Sequence, residues 1–416
     1  MWSNRFNRRI ILFAAVIVGV GVLLFFWSFF AGDGNSRPAD SRDELNEVQI
    51  NPADGLPVIT EDPAEALEYF RKWAKYPPFS RPLVRSQIEE TQPFDGVRFT
   101  NRVVITPPSD CQRTAQGEQC LKPAVYSDIS CEISPQSAIS VGQGDFYVYL
   151  NCTKFENPEK TPEIVAKLEI QQTKVEHLLY DKSMEKASSL PPVYSGDDGT
   201  NGDAKKGDGI YTILVRPGPN DWGEMYLTVE FTVNGMRHRE VATWYSTPHV
   251  VARFEKAGIT HRLADGHLKI TVPVIVDRAG FYEFAANLRV EGDESEYIAN
   301  SANRLELKAG RNLLELTFWG KVIRDRGLDG PYIMTGLRGW RHNGGVTPGM
   351  IAAALERGGL LPEPANEKPE PLKEYMEAGP EYGGMAFQAG DFSNSEWDSD
   401  LKKNRIHFLE QMALEE

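Results

Sequence analysis

Between residues 194 and 212 the chain reads YSGDDGTNGDAKKGDGIYT. Asp197, Asp198, Asn201, Asp203 and Asp208 place five oxygen-bearing side chains within twelve residues of it. The glycines among them let backbone fold around a hard cation, and a dense set of oxygen ligands is the chemistry of Ca²⁺. The spacing is not that of an EF-hand, because the Asp-x-Asp-x-Asp-Gly core and the closing glutamate are missing. The same residues also suit a long hairpin loop, in which Asp and Asn accept hydrogen bonds from their own backbone and glycine supplies positive φ. Both readings stand on sequence alone.

Other chemistry is thinly represented. The seven histidines, at 177, 238, 249, 261, 267, 342 and 407, are scattered without a zinc-ligand spacing, and read as surface or packing residues. Ser183–Lys186 and Ser399–Lys402 match SxxK, but no SDN or KTG accompanies them, and no GxSxG, P-loop or GxGxxG is present. No catalytic residue is assigned, and the chain reads as a non-enzyme; a hydrolase would need groups converging from distant sequence. Trp222, Trp244, Trp319 and Trp340 fall near strand ends, where they either plug the ends of a sandwich or offer rings to sugars. The sequon Asn151-Cys152-Thr153 contains a cysteine expected to be bonded.

Four cysteines lie in one short region. With no CxxC pair, an even count reads as two disulfides in an exported domain. In Ile129–Ile133 the alternation puts Cys131 on the isoleucine face, and in Phe146–Cys152 it puts Cys152 with Phe146, Val148 and Leu150. Both point into a core, which predicts Cys131–Cys152. Cys111 and Cys120 bracket a polar stretch and are predicted to staple its base.

These residues need a scaffold and a compartment. Ile10 to Ala31 is an uncharged apolar run long enough to span a bilayer, and no small-x-small cleavage site follows it. Arg5, Arg8 and Arg9 precede it, which places residues 1–9 in the cytoplasm and the rest outside. The formal net charge is −14. A surface so acidic, without a Lys/Arg stripe, is a poor partner for nucleic acid.

Beyond the membrane run, residues 32–96 read as a linker with a short helix over 63–75, capped by Asp62 and Pro63 and stopped at Pro77-Pro78. Period-two alternation over 97–247 predicts a first β-sandwich, with a tight turn at Asn234-Gly235. Alternation over 248–340 predicts a second, with Leu268, Ile270, Val272, Val274 and Val276 inward and Pro273 marking an edge strand or bulge. Residues 341–416 form a C-terminal extension whose last helix begins at a Ser395 cap and docks through Trp397, Leu401, Phe408 and Met412. The fold class is an all-β ectodomain: tandem immunoglobulin-like antiparallel β-sandwiches behind one transmembrane helix, with short flanking helices.

The passage Asp197 to Tyr211 resembles the D-D-G-x-x-G-D-x-x-x-G-D-G-x-Y signature of choice-of-anchor-X type Ig-like modules. Asp277–Tyr282 and Gly327–Tyr332 look like the companion sandwich of that group, so the resemblance covers roughly residues 98–340. It implies a bacterial envelope protein in the inner membrane with a periplasmic C-terminal part, and it carries no activity. The expected partners are the membrane, through Ile10 to Ala31, and another envelope protein or a cell-wall component. The expected role is interaction or scaffolding; the alternative is a calcium-stabilised adhesin-like or polysaccharide-binding module.

Overall fold

The computed structural model describes residues 62–114, 117–154, 163–164, 168–177, 192–343, 371 and 373–415. Residues 1–61, including the apolar run, lie outside them. Among the described residues no helix is long and apolar enough to cross a membrane.

Helix α1 (Pro63–Trp73) starts as its sequence requires: Asp62 Oδ1 accepts the N–H groups of Ala64 and Glu65 at 2.8 and 3.4 Å, and proline takes the first helical position. A three-residue strand β1 (Ser80–Pro82) and one helical turn α2 (Ile88–Thr91) follow.

The first sandwich comprises β2 (Phe99–Thr106), β3 (Ser109–Thr114), β4 (Gly117–Lys122), β5 (Val125–Pro135), β6 (Ile139–Val141), β7 (Phe146–Lys154), β8 (Glu163–Ile164), β9 (Glu169–His177), β10 (Tyr194–Gly196), β11 (Ile210–Val215), β12 (Gly223–Val233) and β13 (Met236–Thr247). One sheet runs β10-β11-β7-β5-β2, with β8 beside β7; the other runs β6-β13-β12-β9. Ile133, Val148, Leu150 and Ile213 of the first interleave with Val175, Leu227, Val229 and Phe231 of the second in one buried core. β12 buries every other residue, as a strand with one dry face must. Asn234 and Gly235 both take positive φ, 49° and 78°, which twists the β12–β13 hairpin the right way for its strands. β3 and β4 form a separate two-stranded arm.

The second sandwich adds β14 (Ala252–Phe254), β15 (Thr260–Ala264), β16 (His267–Val276), β17 (Gly280–Val290), β18 (Tyr297–Leu307), β19 (Gly310–Phe318), helix α3 (Gly320–Arg326), β20 (Tyr332–His342), β21 (Lys373–Tyr375), β22 (Tyr382–Met385) and helix α4 (Asp400–Glu415). Leu268, Ile270, Val272, Val274 and Val276 are all buried, facing Tyr282, Phe284, Ala286 and Leu288 of β17.

Four features differ from the sequence reading. Residues 63–96 are not a spacer: β1 pairs antiparallel with β18, from Ser80 opposite Ser301 to Pro82 opposite Ala299, and Tyr76 joins the second core. The first sandwich is therefore an insertion between two parts of the second. The second sandwich likewise extends past residue 340, because β21 and β22 pair with β20. Pro273 lies in a central strand, since β16 pairs with β19 on one side and with β14 and β15 on the other. The missing N–H faces the gap between β14 and β15, where Pro273 only accepts, from Glu255 N–H at 2.9 Å. Finally, α4 begins at Asp400, with the Ser399 hydroxyl accepting Lys402 N–H at 3.1 Å, and it packs on α1 by the face that buries Leu409. Leu401, Phe408 and Met412, expected to dock, are exposed.

Candidate metal site and buried polar clusters

The β10–β11 hairpin sets the geometry of the Asp/Gly loop. Asp197 leaves β10 and accepts Gly207 and Gly209 N–H at 2.6 and 3.0 Å, one on each carboxylate oxygen. Asp203 is nearly buried and accepts Gly199 N–H at 2.5 Å, and Asp208 accepts Ile210 N–H at 3.0 Å. Gly199, Gly202, Gly207 and Gly209 have φ between 71° and 89°, a region that residues with a side chain rarely adopt. A Cβ on Gly202 would also sit 2.2 Å from the Tyr147 ring, so the loop lies flat on that side chain.

The fold brings three of the five expected ligands together. One carboxylate oxygen each from Asp197, Asp203 and Asp208 lies within 4.8 Å of the others. Asp198 turns away: its Oδ1 accepts the Tyr194 hydroxyl and the Thr200 N–H and hydroxyl, and these bonds hold its carboxyl below the usual range. Asn201, at φ 50°, donates to the Thr200 hydroxyl. Three converging carboxylates offer a hard divalent ion at most half of its usual six to eight ligands; backbone carbonyls and water would supply the remainder.

Both expected cysteine pairs stand at bonding distance: Cys131–Cys152 in the first core, and Cys111–Cys120 across the β3–β4 arm. That arm and the strand ends feeding it expose Ile105, Leu121, Val125 and Tyr126, Leu121 at 83%. None of the four tryptophans near strand ends is exposed; Trp244 stacks on Phe146 at 4.9 Å and Trp319 on His267 at 3.7 Å.

Among the described residues, the buried polar clusters that sequence reasoning missed include three that each join residues far apart in the chain. Inside the first sandwich, Glu240 is almost wholly buried; it accepts Asn101 Nδ2 at 2.7 Å and contacts His238 Nε2 at 2.8 Å. On the outer face of β17, Glu283 bonds Arg304 at 2.9 Å and His342 at 3.2 Å. Burial pushes its carboxyl up, and those two partners outweigh it and leave the pKa below the usual value. Burial beside this cluster also draws the Lys373 ammonium down, while its Nζ sits 5.2 Å over the Trp340 ring. In the third cluster Glu90 of α2 pairs with Arg338, Asn300 Nδ2 bridges to Glu90 at 3.4 Å and to Asn287 Oδ1 at 2.9 Å, and Asn287 donates to the Glu90 carbonyl. The pre-sandwich segment is thereby keyed onto the second sandwich. The outward alternation of Glu283, Ala285 and Asn287 is the sequence signal that this face would need a polar cover.

The two sandwiches meet at Tyr245 and Tyr375, whose rings cross at 5.0 Å. Tyr245 Oη donates to the Lys373 carbonyl at 2.9 Å, and Tyr375 N–H donates to the Thr247 hydroxyl at 3.0 Å. A shallow cleft of about 170 Å³ beside this contact is lined by Phe94, Ser137, Ile139, Val141 and Met376–Ala378.

No protein-family model and no curated protein sequence matches the chain. Solved structures are similar in part. A DUF4785-family protein from Legionella pneumophila aligns over 51% of this chain and 53% of its own, at 17% identity and a TM-score of 0.34. A DUF3823-family protein from Parabacteroides merdae aligns over 41% of this chain and 78% of its own, at 11% identity and a TM-score of 0.16. The chicken interferon gamma receptor alpha chain aligns over 46% and 82%, at 7% identity and 0.17. The chain thus spans about half the length of the Legionella protein. Likenesses this distant do not bear on function.

Proposed function

We propose that this chain is a membrane-anchored, non-enzymatic protein of a bacterial envelope, whose exported Ig-like sandwiches mediate interaction with another envelope component. The observation that carries the reading is the disulfide-stapled β3–β4 arm. Leu121 on the arm and Ile105, Val125 and Tyr126 on the strand ends that feed it are all exposed, whereas single exposed apolar residues are ordinary on protein surfaces. The anchor is the apolar run Ile10–Ala31, and Arg5, Arg8 and Arg9 before it support a place for the sandwiches on the outer side of the inner membrane. A photo-crosslinking residue at Leu121 or Tyr126, in cells that make the protein, is expected to capture a defined partner. The same residue at Leu313, exposed on the second sandwich, is the control and captures far less. Equal capture at both places, or capture of nothing but the chain itself, overturns the reading.

The convergence of Asp197, Asp203 and Asp208 favours a second reading, a calcium-stabilised adhesin-like or polysaccharide-binding module. Calorimetry separates the two. Ca²⁺ raises the melting temperature of the wild-type protein under the second reading, and Asp203→Asn, which keeps an oxygen for Gly199 N–H, abolishes the rise. With no Ca²⁺-dependent shift, the loop is a turn.

A further inference from the structure

The two disulfides sit in opposite surroundings. Cys131 and Cys152 are both 0% exposed and lie between the sheets of the first core, out of reach until that sandwich opens. Cys111 is exposed and Cys120 half-buried. They stand directly opposite one another in the β3–β4 ladder, which no third strand joins among the described residues. Two strands alone are marginal in water, so a bridge between residues nine apart does for this arm what a core does for a larger sheet.

We infer that Cys111–Cys120 is a reversible thiol–disulfide exchange site, and that a dithiol reductant unlatches the arm there. The effect on binding rests on the reading of the arm as the interaction surface; the exchange itself does not. Access decides which sulfur is attacked. A thiolate of the dithiol attacks Sγ of Cys111, the more exposed residue, forming a mixed disulfide and expelling Cys120 as a thiolate. The second thiol of the reductant then attacks its own sulfur in that mixed disulfide and releases Cys111. The dithiol leaves oxidised as an internal disulfide, and its two electrons and two protons end on Cys111 and Cys120 as thiols. Cys131–Cys152 is spared, because a thiolate would have to enter a packed apolar core. Without the bridge, the balance between open and paired arm shifts about a hundredfold towards open, the entropy that closing so short a loop had removed. Leu121 is then cut loose from Val125 and Tyr126, whose strand stays paired with β2, so the exposed apolar set loses its fixed arrangement while both cores persist.

The test uses the full chain in its membrane. Treated with dithiothreitol without denaturant, alkylated with iodoacetamide and read by peptide mass spectrometry, it is expected to show label on Cys111 and Cys120 and none on Cys131 and Cys152. Amide exchange over β3 and β4 rises about a hundredfold, the melting temperature of the cores is unchanged, and oxidised glutathione reverses the opening. An arm pair that resists the dithiol as long as the core pair does overturns the exchange site. So does an arm pair wholly oxidised in acid-quenched cells, whether or not thiol is added during growth. For binding, photo-crosslinking from Leu121 is expected to fall about tenfold or more on reduction and to return on reoxidation, and Cys111→Ser with Cys120→Ser captures as weakly as the reduced chain. Capture undiminished by reduction refutes the switch and leaves the docking role of the arm standing. No capture in either state, with the arm pair still selectively reduced, refutes that docking role and upholds the exchange site.

Discussion

Replacing Glu90 with alanine tests whether the segment before the first sandwich is clamped or free. Glu90 is the carboxylate bonded to Arg338, with Glu283 acting on the same guanidinium from further off; the Arg338 side chain is 12% exposed and that of Glu90 32%. Breaking a fully buried pair costs about 3–5 kcal/mol, because the remaining charge stays buried without a partner. With a third of this carboxylate open to water, about 2–3 kcal/mol is the reasonable expectation. The loss falls on the strap rather than on either core, so it is read as local opening. Hydrogen exchange by mass spectrometry is the assay, and the reporters are Leu83 N–H, bonded to the Ile298 carbonyl at 3.1 Å, and Ala302 N–H, bonded to the Phe79 carbonyl at 2.8 Å. At a factor of ten per 1.4 kcal/mol, Glu90→Ala raises their exchange by roughly 30–150-fold and leaves Phe231 and Val229 protected. Glu90→Gln falls between, and Arg338→Gln combined with Glu90→Ala costs less than the sum of the two. Two outcomes refute the reasoning: wild-type Leu83 exchanging at free-peptide rates, as a passive linker would, or a Glu90→Ala strap as protected as wild type.

Further expectations concern pH and the disulfides. His267 Nδ1 accepts Gly320 N–H at 3.0 Å, and burial holds its pKa below the ordinary 6.5. The unfolded chain takes the proton first, so stability is full above about pH 6.5 and falls as pH drops below it. Thermal melts at pH 7.5 and 5.5 should show a smaller loss for His267→Gln than for wild type. Burial raises Tyr375 from 10 to about 12, so the unfolded chain ionises first and stability declines as pH rises from 10 towards 12. Tyr375→Phe flattens that decline in melts between pH 9.5 and 11.5. Removing Cys131–Cys152, which are 21 residues apart, lowers stability by about 3 kcal/mol in denaturant titrations. Removing Cys111–Cys120 leaves the main transition in place, because that staple lies on an arm outside the cores.

The strands were legible because each buries one face. Leu268 to Val276, and Met225 to Val233, declare their inward side by alternation alone, and Asn234-Gly235 declares its turn. The cysteine pairing was legible for the same reason. Pro273 misled, since a missing donor is compatible with a central strand wherever its neighbour is broken in two. α4 misled because both of its stripes are apolar, and periodicity does not say which one meets α1. The expected linker misled most: Ser80, Tyr76 and Glu90 are held by residues beyond 250, and local pattern carries no trace of such partners. In the Asp/Gly loop the composition nominated five ligands, but backbone bonds select Asp197, Asp203 and Asp208 and turn Asp198 aside.

The pairing of Ser80 with Ser301 has a consequence for biosynthesis. At 5–20 residues per second, the roughly 220 residues between them take about 10–45 s to emerge. During that interval the first sandwich has every strand it needs, whereas β1 has no neighbour to pair with. Its nascent segment must wait, solvated, until the ribosome delivers β18. An early chaperone or protease therefore meets residues 76–95 as a handle on a half-made molecule, and completion of the second sandwich withdraws that handle.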